Sequence, residues 1–155
     1  MLCLGDPAYP RLLAEVGNSP PILLWQGRLE LMEQPMVAMV GARNASAAAC
    51  RFSRDLAKGL TDSGVTIVSG LARGVDTAAH QGSLEAATIA VIAGGLDVFY
   101  PPENEGLQQT IAERGLLLAE QPPGTEPRAR HFPYRNRILS LIHLSEPTRL
   151  PSTSY

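Results

Sequence analysis

Short, wholly apolar runs alternate along this chain with longer stretches in which apolar residues recur every three or four positions. Met36-Val37-Ala38-Met39-Val40, Val65 to Val68, Thr88 to Ile92 and Leu116 to Ala119 read as four buried strands. The stretches between them read as helices. Ser46 is expected to cap a helix running to about Ser63, with Ala49, Phe52, Leu56 and Leu60 on its inner face, and Gly64 suits a left-handed stop. Asp76 is expected to cap a helix from about Thr77 to Ala87. Asn104 is expected to cap another through Arg114, ended by Gly115. Strands apolar on both faces and separated by helices predict an α/β domain. Its sheet is parallel, covered by helices on both faces and wound by right-handed crossovers, an extended Rossmann-like fold.

The flanks break this rhythm. Pro7, Pro10, Pro20, Pro21 and Pro35 punctuate residues 1–35, which are expected to be an irregular lead-in with one short edge strand at Ile22 to Trp25. The core is assigned to residues 36–140. A polar, proline-rich loop from Gln121 to Arg130 leads to a short helix around Tyr134 to Leu139. Residues 141–155 show neither period and are expected to be a disordered or non-native tail, since they read like translated sequencing-adapter sequence.

Composition narrows the picture. At 155 residues the chain is long enough for one domain with a real core. It has no run of about 18 apolar residues and no basic-then-apolar start, so neither a membrane-spanning helix nor a secretory signal is expected. Cys3 and Cys50 stand outside any metal spacing and read as reduced thiols of a cytoplasmic protein. The net charge of −2 excludes a general polycation, so any anion site must be local. Of the thirteen Lys and Arg, only Lys58 is lysine, and arginine carries the planar fork of donors that suits phosphate.

In an open parallel sheet, ligands gather beyond the carboxyl ends of the strands. The loops there hold the candidate chemistry. Gly41-Ala42-Arg43 couples a close backbone approach to a permanent charge and a helix start. Ser69-Gly70-Leu71-Ala72-Arg73-Gly74-Val75-Asp76 has the glycines, hydroxyl and cation of an oxyanion cradle. His80, four residues after Asp76, is expected to bond back to that carboxylate. Gly94-Gly95-Leu96-Asp97 permits another close approach, with Asp97 free to bind a hydroxyl or hold an arginine. From Arg128 to Arg137 come Arg128, Arg130, Arg135, Arg137 and His131 with no acid, interleaved with Phe132, Tyr134 and Asn136. Cations for a backbone and ring faces for bases are what single-stranded nucleic acid requires. Ser69 and His80 lack a residue to orient the histidine, and none of the three His has a metal spacing, so neither catalysis, a cofactor nor a metal is expected.

Taken in order, these loops resemble the DprA/Smf family of DNA-processing proteins. Val40-Gly41-Ala42-Arg43 is similar to its V-G-S-R turn, with Ala42 replacing a serine. Ser69 to Asp76 is similar to S-G-L-A-x-G-I-D, and His80 to Leu84 to H-x-G-A-L. Gly95 to Pro101 matches G-L-D-x-x-Y-P, and Phe132 to Ile138 matches F-P-x-R-N-R-I. The likeness runs from about Tyr9 to Ser140. It implies a non-enzymatic protein that binds single-stranded DNA, protects it during natural transformation and loads a RecA-type recombinase. It implies a backbone contact at Arg43 and a phosphate pocket lined by Gly41, Ser69, Gly70, Arg73 and Gly74. Gly95 and Asp97 would close one side, with Arg135, Asn136 and Arg137 at the rim. It also implies a homodimer, but the expected dimer contacts lie in strands beyond the truncated core. Two other readings remain open: an enzyme like the lysine-decarboxylase-like phosphoribohydrolases, whose P-G-G-x-G-T-x-x-E signature Ala93 to Asp97 matches poorly, and a non-catalytic sensor of a small nucleotide.

Overall fold

The computed structural model describes residues 1–142; of the tail expected at residues 141–155, Leu141 and Ile142 continue a helix, and the rest lies outside the described residues. Six strands form one mixed sheet. β1 (Leu2–Cys3) pairs antiparallel with β2 (Ile22–Gly27). β3 (Met36–Ala38), β4 (Thr66–Ser69), β5 (Thr88–Ile92) and β6 (Leu116–Ala119) are mutually parallel, and β2 runs antiparallel against β6. The order across the sheet is β1-β2-β6-β5-β4-β3. The Rossmann-like parallel core is therefore present, widened on one side by an antiparallel pair.

Helices cover both faces. α1 (Arg11–Ala14) and α5 (His131–Ile142) close one face. There Leu13, Leu23, Leu31, Ile138 and Leu139 pack with Val68, Ile89, Val91, Leu116 and Leu118. α2 (Ala47–Asp62), α3 (Val75–Ser83) and α4 (Glu105–Arg114) close the other, through Ala57 and Ala79 on Ile67 and Ile111 on Ala90, Ile92, Leu117 and Ala119. The two face sets follow the alternation of side chains along each strand.

Four local expectations change. The lead-in is built into the core rather than irregular: Leu13, Leu23 and Leu31 are fully buried, and Tyr9 donates a 2.6 Å hydrogen bond to the Pro20 carbonyl. The prolines break regular structure, but the apolar residues between them still fill one face of the sheet. Ile22–Gly27 is an interior strand, because β1 takes the edge. α2 is rolled from its expected face. Phe52 and Leu56 are 68% and 42% exposed, while Ser53, Ala57 and Thr61 are buried. The cause is a close crossing with α3, where the Arg54 backbone occupies the space a Cβ on Gly82 would need. Only small side chains fit that seam. Finally, the helix expected at Tyr134 begins a turn earlier, at His131, whose Nδ1 accepts from the Arg128 amide at 3.0 Å.

His80 is a core residue. Its Nδ1 lies 2.7 Å from Thr88 Oγ1, not against Asp76 as expected, and its Nε2 is buried without a partner. Burial pulls its pKa down to about 3. An unfolded chain takes up this proton near the ordinary value of about 6.5, so it binds more protons than the folded chain between those limits. Stability is then full above pH about 6.5 and falls as the pH drops, by up to about 1.4 kcal/mol per pH unit. Urea unfolding at pH 7, 6 and 5 measures this slope, and a flat profile would contradict the buried neutral imidazole.

Candidate functional site

The loop between β4 and α3 is the framework of the site. Leu71 takes a left-handed backbone conformation (φ 57°) that costs a non-glycine residue about 1–2 kcal/mol. Its side chain is fully buried against Ile111 and Leu117, which offsets that cost. Asp76 is not the helix cap expected of it; Gly74 holds that position. The Asp76 carboxylate instead turns back and accepts from the Gly70 amide at 3.1 Å and the Ala72 amide at 3.4 Å. Burial raises its pKa, with the backbone hydrogen bonds and Arg135 acting in the opposite direction. Asn104 stands at the N-cap position of α4 as expected, but its side chain makes no cap bond and donates to the Leu71 carbonyl at 3.1 Å and to Thr77 Oγ1 at 2.9 Å. Thr77 Oγ1 in turn donates to the Ala72 carbonyl at 2.7 Å.

Arg135 of α5 locks this loop to the next strand. It is 7% exposed, and its Nη1 donates to the Gly70 carbonyl at 2.6 Å and the Val91 carbonyl at 3.3 Å. Burial lowers its pKa and Asp76 counters that, while nearby Arg43 lowers it further. The Phe132 ring lies one turn before Arg135, and the guanidiniums of Arg43 and Arg135 both stand over it, each 5.5 Å from its centroid. Tyr100 meets the same ring at 5.9 Å with a 58° tilt. These groups wall a cleft at the carboxyl ends of β4 and β5, with Arg73 beside them. Its cavity volume is about 20 Å³, room for a water or two but not for an enclosed nucleotide.

Of the residues singled out in the sequence, Arg43, Gly70, Arg73 and Arg135 meet in this cleft. Gly41 and Gly74 lie behind it and let two loops interlock. A Cβ on Gly41 would meet Val75, and one on Gly74 would meet the Ala42 and Arg43 carbonyls. Ser69 is buried and donates to the Met39 carbonyl at 2.6 Å. Gly95 packs against Pro122 and Gly124, and Asp97 accepts from the Gly124 amide at 2.7 Å. Asn136 accepts from Arg135 Nε at 2.9 Å. Arg137 is turned away from the cleft and neutralised by Glu120, through two hydrogen bonds of 2.7 Å. It also donates to the Asn18 carbonyl at 3.1 Å. Phe132, singled out among the arginines as a ring face, joins the cleft, and so does Tyr100, which stood in the Y-P motif with no role assigned to it.

The surface charge is sorted in the same way. Arg73 is paired with Glu103, which holds that carboxyl below its usual range. Arg11, Arg28, Lys58 and Arg114 also have acidic partners. Among the described residues, Arg43, Arg51, Arg54, Arg128 and Arg130 form no ion pair. No described helix is long and apolar enough to cross a membrane.

A family model described as DNA recombination-mediator protein A matches residues 1–146. The chain belongs to this family. It is 45% identical over 141 residues to protein Smf of Synechocystis and 44% identical over 137 residues to DNA processing protein DprA of Streptococcus pneumoniae. Each alignment covers 87% of this chain, but 35% and 48% of the respective relative, so the chain spans about half or less of these proteins. The crystal structure of the S. pneumoniae protein superposes with a TM-score of 0.86 at 43% identity, over 91% of this chain and 50% of that one. A structure of the Helicobacter pylori family member, reported for its single-stranded DNA binding mode, superposes at 0.80 with 32% identity, over 86% of this chain and 62% of that one.

The buried knot has a measurable consequence. Arg135→Ala leaves two carbonyls without their donor and Asp76 without a nearby cation, which costs about 2–4 kcal/mol. The urea midpoint is expected to fall accordingly, and an unchanged midpoint would show that Arg135 does not brace the loops.

Proposed function

We propose that this chain binds single-stranded DNA at the cleft, as part of DNA processing during transformation. The observation that carries the reading is the uncovered Arg43 beside the Phe132 ring. A permanent cation without an acidic partner suits a phosphate, and an aromatic face suits a base. The shallow cavity favours a strand laid across the surface over a mononucleotide swallowed whole. In this reading Arg43 is the backbone contact, Phe132 and Tyr100 form the stacking platform, and Arg73 becomes a second cation once Glu103 releases it. Gly41, Ser69, Gly70, Gly74, Gly95, Asp97, Arg135 and Asn136 act as its scaffold, and Arg137 contributes only if Glu120 lets go.

Family membership and the H. pylori relative support the ligand class. The family description as a recombination mediator supports a RecA-type recombinase as the partner that receives the strand. The reading goes with a cytoplasmic location, where two free half-buried thiols stay reduced. It is a binding function rather than an enzymatic one. Ser69 and His80, the nearest approach to a nucleophile and base, are each tied to a different internal partner.

Competition between oligo-dT and mononucleotides tests the ligand class: the oligonucleotide is expected to win, and equal displacement by a mononucleotide would favour a nucleotide sensor. Arg43→Ala is expected to weaken binding to all sequences alike and to flatten the slope of log affinity on log salt by about 0.7. Phe132→Ala is expected to cost about 1–3 kcal/mol, one stacked base, with little change in that slope. Fluorescence anisotropy across a salt series reads both, and identical slopes for wild type and Arg43→Ala would remove Arg43 from the backbone path.

A further inference from the structure

A second cleft opens next to the first, between α2, α3 and the turn that precedes α4. Cys50 and Arg54 of α2, Thr77 and Gln81 of α3, and Glu103 line it. Its cavity volume is about 330 Å³, far larger than the first and at the size where ligand sites begin. The two clefts share one lining residue, Arg73.

Charged and polar side chains border this cleft on a largely apolar lining, and the charge is unevenly used. Glu103 occupies Arg73. Arg54 is exposed and, among the described residues, forms neither an ion pair nor a side-chain hydrogen bond. Its position is firm, since the Arg54 backbone fits into the gap left by Gly82 at the α2–α3 crossing. An exposed arginine on that firm backbone, beside Thr77 and Gln81, presents a fork of donors that an anion can meet without reorganising the helices. Arg43 borders the first cleft, Arg54 the second and Arg73 both.

We propose that the second cleft takes the next phosphates of the same single strand, with Arg54 as its cation and Arg73 shared by both clefts once Glu103 swings aside. The proposal rests on the DNA-binding reading above. It adds a direction to the strand path and gives Glu103 the role of a charge mask that a phosphate must displace.

Oligo-dT of about 4 and about 12 nucleotides separates the two clefts, since only the longer one reaches past Arg73. Anisotropy titrations of the 155-residue chain in a salt series provide the readout. Arg54→Ala is expected to leave the short oligonucleotide unaffected. It should weaken the longer one about three- to tenfold and flatten its salt slope by about 0.7. Glu103→Gln is expected to tighten binding about two- to fivefold by freeing Arg73. Arg43→Ala is the control and should weaken both lengths. If Arg43→Ala acts and Arg54→Ala changes neither length, or both alike, the strand does not enter the second cleft and this inference is overturned while the DNA-binding reading stands. If Arg43→Ala changes neither length, the DNA-binding reading fails and takes the inference with it.

Discussion

The buried guanidinium of Arg135 is the constraint on which the site depends. It joins the Gly70 carbonyl at the end of β4 to the Val91 carbonyl of β5, from a helix on the other side of the chain's path. A charge taken out of water is costly unless its donors are satisfied and an opposite charge is near. Two carbonyls, Asn136 and the field of Asp76 supply those conditions. Asp76 is in turn held by two amides of the loop it shapes. Each group needs the others, so the loop has one arrangement. That rigidity fixes where Phe132 presents its ring and where Arg43 hovers over it.

Around this knot the arginines divide by partner. Arg137 is sunk into Glu120, and Arg11, Arg28 and Arg114 are balanced at the surface. The uncompensated cations include Arg43 and Arg54, which border the two clefts. A chain with a net charge of −2 can therefore still offer a local positive track. The track's strength depends on ion pairs as much as on arginine count, since Glu103 occupies Arg73.

The parallel core was legible because its strands are continuous apolar runs and its helices have the right period. Of the antiparallel extension only the strand at Ile22 was legible, because the prolines of the lead-in hid how Leu13, Leu23 and Leu31 join the core. The face of α2 was misread for a related reason. Hydrophobicity pointed to Phe52 and Leu56, but the close α2–α3 crossing at Gly82 selects Ser53, Ala57 and Thr61 by size. In the site, the loops were located correctly at one sheet edge, while the direction of each side chain was beyond sequence. Arg135 and Arg137 differ by two positions and share a motif, yet one points into the loop knot and the other to Glu120. Gly41 and Gly74 looked like openings for a ligand and turn out to be sockets for each other's loops.

On the DNA-binding reading, one rigid cleft carries both the cation and the ring that a single strand requires. Ultraviolet crosslinking of oligo-dT to the protein, followed by peptide mapping, tests it most directly. Crosslinks are expected to concentrate on the peptides that contain Arg43, Tyr100 and Phe132. Crosslinks spread over the surface, or confined to peptides remote from this sheet edge, would contradict it.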